Sequence, residues 1–471
     1  MIWGLKMTAA ALPLALAACA DTGLVQKASA PRAGYSLVSS GTQQATGAVG
    51  VWAQSAAEVA ANETKARALV HGKTIGPDTA VQVALMNNRG LQAAYGDLGL
   101  SAADLWEVAR GPVPTFGVTI SGIGEVGLAR SLEASVTGAI LEAATAKPRR
   151  NIAETRFRQA QFAALGSTIA LATETRQAWV DTVAAFEAAA LIGRAQDTAD
   201  AASELAVELG RTGAMSRSDQ AREHAFTAEL AAERADAKLE AQLAKEKLTR
   251  LMGLWGADID YYVPNQLPGL PGRRPGRSDV ERLTLEHRTD LAIGRLELEA
   301  VAQEYRLSGQ TRMLSDVSIV AGATAERSGS PSSRTTEVSP VLEVTFEIPI
   351  YDTGSLIARR GEIEYMRAAN DLAQKAVNAR SEARSAHAAV TGKYNVAKHW
   401  RDAVLPLRRI IDEDALRSYN GMLISTFDLI TDAREGLEAQ LSTAEAKADY
   451  WRAEADMTAA IWGGSNGGSR E

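Results

Sequence analysis

Cysteine is nearly absent: Cys19 is the only one in 471 residues, so no disulfide can form within the chain and multi-thiolate metal sites are excluded. Aromatic residues make up only 5% although hydrophobic residues reach 46%. Alanine crowds the middle of the sequence, as expected where helices pack closely along their length. Clusters of one charge sign are missing too. Lys and Arg (50) and Asp and Glu (57) are interspersed, with a net charge of -7, so the chain lacks the basic patch that a nucleic-acid partner requires. The five histidines, His71, His224, His287, His387 and His399, are scattered with no i, i+4 metal pair. No Gly-rich phosphate loop or nucleophile elbow occurs, so the sequence predicts no enzyme, no metal and no cofactor.

Long apolar runs are also missing. The first 18 residues, MIWGLKMTAAALPLALAA, combine Lys6 with an apolar run too short to span a membrane, which needs about 20 residues. This is the pattern of an export signal (1–18). It ends in Leu16-Ala17-Ala18-Cys19, which resembles a bacterial lipobox and makes Cys19 the expected site of a covalent N-terminal lipid. An ordinary cleaved signal with a chance cysteine is the alternative. Asp21 stands one position beyond the residue that follows Cys19, which permits sorting to the outer membrane.

The chain repeats itself. VALMNNRGLQAAYGDLGL from Val83 matches LTLEHRTDLAIGRLELEA from Leu283, with Leu85, Leu91 and Leu98 on Leu285, Leu291 and Leu298, an offset of 200. LEASVTGAILEAATAKPRR from Leu132 lies on LEVTFEIPIYDTGSLIARR from Leu342, pairing Arg149 and Arg150 with Arg359 and Arg360 at an offset of 210. The ten extra residues are expected in a surface loop, ERSGSPSSRTTEVSP (Glu326 to Pro340), because turn-forming residues dominate it.

Each half offers two strand candidates flanking that loop. In VLEVTFEIPI, Leu342, Val344, Phe346, Ile348 and Ile350 alternate with Glu343, Thr345, Glu347 and Pro349. Val317 with Ile319, and Phe116, Val118 and Ile120, show the same period. A half-buried soluble sheet would alternate identically. Beside an export signal, segments of about 10 residues favour a membrane barrel. Glu133, Glu343 and Glu347 are then expected to face the lumen and to favour cations. Four strands cannot close a barrel, and one of about 8 strands is filled by side chains, so three chains giving twelve strands is the simplest open solution.

After each strand pair comes a long stretch with helical spacing, about 150 to 209 and 355 to 405. A helix from about Ala143 to Leu209 would reach roughly 100 Å, long enough to cross the periplasm. Both stretches are interrupted at matching points, GRTGAMSRSDQA from Gly210 and YNGMLISTFDLI from Tyr419. Gly213 and Gly421 suit a tight reversal, and Ser216 with Asp219, like Ser425 with Asp428, forms a Ser-x-x-Asp cap opening the return helix.

Together these features resemble the TolC-type outer membrane factors, over about Asp78 to Gly463. The residues that carry the resemblance are the ALxNN-like opening (Ala84 to Asn88, degenerate at Thr284 to Arg288), the IPIYDTGSLIARR passage from strand to helix, and the paired hairpins. The resemblance implies a mainly α fold with membrane β: a trimeric twelve-stranded β-barrel continued by a long α-helical periplasmic barrel. It implies a passive exit duct of a tripartite efflux or type I secretion system, in the outer membrane, lipid-anchored and extending into the periplasm. Its partners would be two further copies of the chain, a periplasmic adaptor, an inner-membrane transporter of the RND or ABC type, and outer-membrane lipid. By the same resemblance Gly213, Ala214, Met215, Gly421, Met422 and Leu423 are adaptor-docking positions, and Asp428 and Asp219 are candidates for a periplasmic gate. Thr431 stands where a second gating aspartate would be. Capping is the competing role for both aspartates, since a carboxylate there also favours the helix dipole. The alternative to a duct is a lipid-anchored periplasmic coiled-coil scaffold with no pore.

The expected organisation is a signal (1–18), an extended lipidated tether (19–77), a first repeat (78–260), a linker (261–278), a second repeat (279–463) and a disordered tail (464–471).

Overall fold

The computed structural model describes residues 21–121, 130–272, 279–311, 316–330, 333–347 and 354–463. Cys19, the signal and the tail lie outside them, as do Ile348 and Ile350. Two short helices open the described chain, α1 (Thr22–Ala28) and α2 (Tyr35–Thr46), followed by α3 (Ala56–Val70), α4 (Pro77–Asn87) and α5 (Arg89–Arg110). Strands β1 (Thr115–Ser121) and β2 (Arg130–Ala139) lead into α6 (Ile140–Arg211), which a turn joins to α7 (Arg217–Leu251). The second half repeats the order with α8 (Val280–His287), α9 (Thr289–Thr311), β3 (Asp316–Ser330), β4 (Ser333–Glu347), α10 (Ser355–His399), α11 (Leu405–Asn420) and α12 (Thr426–Trp462). The 72 residues of α6 rise about 108 Å at 1.5 Å each. Between α10 and α11 a single π turn, Trp400–Val404, carries the helix up to Pro406, whose missing N–H the wider turn accommodates. No described helix is long and apolar enough to cross a membrane.

Compact packing does not follow the two sequence halves. One unit lies within Met1–Leu37, Gly96–Ala164 and Asp290–Lys375, the other within Val38–Tyr95, Leu165–Thr289 and Ala376–Glu471. The first holds the sheet, with Leu98, Leu105, Phe157 and Leu291 buried. There Arg156 pairs with Glu297 and, at 3.1 Å, with Glu304, while Gln159 donates to Glu297 at 2.8 Å. In the second unit Val70, Ile75, Val83, Trp179, Leu248 and Met252 share one core, and the Trp179 indole donates to the Ile75 carbonyl at 2.9 Å.

The segment expected to be an extended tether is instead largely helical and fixed. Its helices bury Val38, Ala66 and Val70. Between them, Gln82 accepts from the Val49 N–H (3.0 Å) and donates to the Val49 carbonyl (2.8 Å), and Gln92 does the same for Ala53 N–H and Val51 C=O. Two side-chain amides thus supply the partners that a neighbouring strand would give an extended backbone.

The ALxNN-like opening has a local physical reason. Helix α7 ends at Leu251, where its last carbonyls have no partners within the helix. Asn88 donates to the Leu251 carbonyl (2.9 Å) and Asn87 to the Gly253 carbonyl (2.6 Å), while the Asn88 oxygen accepts from Leu91 N–H (3.0 Å). In the second half Arg288 replaces Asn88 in the alignment and reaches the Ala460 carbonyl near the end of α12 at 3.4 Å, with Thr289 donating to Gly463 at 3.1 Å. Arg288 is 5% exposed and paired with Glu382 at 2.5 Å, and His287 stacks on Trp462 at 4.6 Å. The degenerate copy performs the same closure with a longer arm.

Candidate functional site

The four strands form one antiparallel sheet in the order β1-β2-β3-β4. The 15-residue strands β3 and β4 pair from Asp316↔Glu347 to Ser330↔Ser333. This overturns the expected loop at Glu326 to Pro340, since most of those residues continue the ladder. Ser, Thr and Gly suggest turns locally, but the backbone hydrogen bonds of a hairpin hold regardless of polar side chains.

The register sorts side chains by face. Phe116, Val118 and Ile120 of β1 pair with Val136, Ala134 and Leu132, which pair in turn with Ala321, Ala323 and Ala325 of β3. Leu342, Val344 and Phe346 complete this apolar face opposite Ala321, Ile319 and Val317. The other face carries Thr119, Glu133, Thr324 and Ser339 in one row and Thr137, Val320 and Glu343 in another. Glu133 and Glu343 therefore share the polar face, and at the end of β4 the backbone of Glu347 pairs with Asp316. The apolar face is bare: Leu342 is 75% and Phe116 68% exposed. Among the described residues, β1 and β4 are also unpaired along their outer edges.

The two turns between long helices are copies offset by 209. After α6, Gly213 N–H bonds the Gly210 carbonyl (3.2 Å) and Ala214 N–H the Leu209 carbonyl (2.8 Å). After α11, Met422 N–H bonds Tyr419 (2.9 Å) and Leu423 N–H bonds Ser418 (2.8 Å). Both are Schellman endings, which need a left-handed residue in the position of Gly213 and Met422. Gly213 has φ +76 and Met422 φ +58. Gly421 has φ -81, so the reversal assigned to it falls one residue later, because the hydrogen-bond register rather than the nearest glycine sets the left-handed position. A non-glycine residue there costs about 1–2 kcal/mol. Replacing Met422 with glycine should therefore be neutral or stabilising by up to about 1 kcal/mol, once the greater backbone freedom of glycine when unfolded is included, and should slow amide exchange in the last turn of α11. Gly213→Met should speed the matching exchange in α6. The opposite signs would show that the two turns do not share one geometry.

Each turn hands over to a capped helix. Ser425 and Asp428 form a complete capping box, with Asp428 N–H to Ser425 Oγ at 3.2 Å and Ser425 N–H to Asp428 Oδ2 at 3.1 Å. Hydrogen bonds from the Ser425 side chain and backbone hold the Asp428 carboxyl below its ordinary range. A depressed acid stabilises the fold above its unfolded pKa, so the cap persists at neutral pH and is lost only as pH falls through the lowered value. Ser216 caps α7 through Asp219 N–H at 3.1 Å, and Asp219 also pairs with Arg222 at 3.0 Å. At the second tip Met422 is 93% and Leu423 80% exposed.

Solved structures with this arrangement exist. The Campylobacter jejuni CmeC outer membrane channel aligns with a TM-score of 0.68 at 18% identity, over 83% of this chain and 87% of its own. The outer membrane protein VceC of Vibrio cholerae gives 0.66 at 16% identity, over 82% and 96%. The fold is that of the TolC-type outer membrane channels. The open state of the Neisseria gonorrhoeae MtrE outer membrane channel gives a TM-score of 0.63 at 16% identity, covering 82% of this chain and 88% of its own. No protein-family model and no curated protein matches the sequence. The TolC-type fold accounts for the doubled order of strands, long helix and return helix. Two groups with consequences of their own were not legible in the sequence: Met422 as the strained turn residue, and Glu223, which is buried without a hydrogen-bond partner.

Proposed function

We propose that this chain is one subunit of a passive trimeric exit duct in the bacterial outer membrane, anchored by a lipid on Cys19. The observation that supports it best is the sheet, with one bare apolar face, one polar face and two open edges. In water such an object would aggregate. In a bilayer the apolar face meets lipid, and the edges must pair because hydrocarbon offers no other partner for backbone groups. Three copies provide twelve strands, enough for a lumen into which Glu133, Glu343 and Glu347 project and which they bias toward cations.

The helices extend the duct through the periplasm to the two turns, where Gly213, Ala214, Met215, Gly421, Met422 and Leu423 receive the adaptor. The exposed Met422 and Leu423 side chains support that role, since apolar groups at a tip are left for a partner to cover. Asp428, and less directly Asp219, would narrow the periplasmic end while also serving as caps. An inner-membrane transporter of the RND or ABC type supplies the energy, and the duct itself does no chemistry.

The purified protein in planar bilayers should give discrete, cation-selective conductance steps. A membrane that stays silent while the protein inserts would favour the pore-free scaffold instead. With Asp428→Ala, block by divalent cations added from the periplasmic side should weaken; unchanged block would leave Asp428 only its cap.

A further inference from the structure

A cavity of about 440 Å³ lies within the second unit among α6, α7, α11 and α12, with Leu191, Phe226, Ile430 and Leu437 forming apolar walls. Glu223 lines it at 1% exposure, and neither of its carboxylate oxygens has a hydrogen-bond partner. Asp412 and Asp432 line the same space, and Asp412 Oδ1 is likewise buried without a partner. An unpartnered buried carboxylate costs several kcal/mol in general; both Glu223 oxygens are closed to water, so a donor in the cavity meets them once the side chain turns toward it. The local cations do not supply one. Arg408 is paired with Glu435 at 2.6 Å, Arg434 pairs with Glu229 and stacks on Phe226, His224 faces Ser203 at 2.7 Å, and Arg194 lines the wall without bonding either oxygen of Glu223.

We propose that this cavity binds a small lipophilic amine, with its ammonium donating to Glu223 and its apolar body against Phe226 and Leu437. Among the described residues no three carboxylates or imidazoles converge as a metal ion would require, which sets an organic cation above a metal. The volume falls in the range of roughly 300–1,000 Å³ typical of small-molecule sites. Glu223 and Asp432 are also repeat partners at the turn offset of 209, so one ligand would bridge equivalent positions of the two hairpins. Nothing in this binding requires a pore.

Burial raises the Glu223 carboxyl above its ordinary range, with His224 opposing, and burial and Asp432 raise Asp412 against Arg408. The ammonium needs the ionised carboxylate, so affinity should fall as pH drops through the raised value of Glu223.

Calorimetric titration of the full-length protein with 4-phenylbutylamine, against its neutral analogue 4-phenylbutan-1-ol, tests this. The amine should bind about tenfold or more tightly than the alcohol, and Glu223→Gln should remove that preference while leaving the alcohol within about twofold. Ala199→Leu, which fills the cavity while keeping the carboxylate, should abolish binding of both. Equal affinity of amine and alcohol for the wild-type protein, or an amine preference that survives Glu223→Gln, would overturn the proposal. So would amine binding that survives Ala199→Leu, which would place the amine elsewhere.

Discussion

Replacing Leu342 with arginine should prevent most of the protein from assembling, and Val344→Arg should do the same. Both side chains stand on the exposed apolar face of β4. If that face meets lipid, each arginine at the bilayer midplane costs about 2–4 kcal/mol, in every subunit of a closed barrel. Glu343, between them in sequence, points the other way. Glu343→Arg changes the charge by more than Leu342→Arg, yet it should leave the yield of heat-resistant oligomer unchanged and shift the reversal potential of the channel toward anions. Refolding into vesicles followed by gel mobility, and bilayer recording of whatever assembles, give the two readouts. Equal loss of oligomer from Leu342→Arg and Glu343→Arg would mean that neither face is special, and the barrel would have to be abandoned.

The other large effect is expected at Gly253, just beyond α7. Its backbone has φ +65, and a methyl group added there would sit 2.7 Å from the Asn87 carbonyl oxygen. Left-handed strain alone is about 1–2 kcal/mol, and the clash is with backbone that the neighbouring asparagine bonds hold in place, so Gly253→Ala should cost at least about 2 kcal/mol. Gly256 is the control. It has φ +62 with open space around it, so Gly256→Ala carries the strain without the clash. The gap between the two denaturation midpoints isolates the contact between the helix end and the ALxNN-like opening. If the midpoints fall together, that contact contributes nothing to stability.

What the sequence revealed and what it concealed follow from how far each signal reaches. The alternation in β4 was legible because a side-chain period of two is a property of the strand itself, and the register then placed Leu342, Val344 and Phe346 on one face as expected. The capped helix starts at Ser216 and Ser425 were legible for the same reason, since a capping box spans four residues. The extra ten residues were misread as loop because Ser, Gly and Thr signal turns locally, whereas partners across the hairpin keep them in the ladder. The segment after Cys19 showed no period because its packing relies on Ala, Val38 and two distant glutamines, Gln82 and Gln92. Glycine drew the second reversal to Gly421, although the bonds from Met422 N–H to the Tyr419 carbonyl, three residues back, and from Leu423 N–H to the Ser418 carbonyl, five back, place it on Met422. Glu223 looked like any other acidic residue on a long polar helix, because only the arrival of α6, α11 and α12 removes it from water.

The open edges of β1 and β4 bear on how such a protein can be handled at all. If neighbouring copies complete those edges, as proposed, the subunit has no folded monomer to serve as a thermodynamic reference. Its melting temperature should then rise with protein concentration, as for any obligate assembly. During synthesis, the interval between folding of the helices and closure of the sheet would be when the chain is most exposed to wrong partners, and its length would be set by how often three subunits meet.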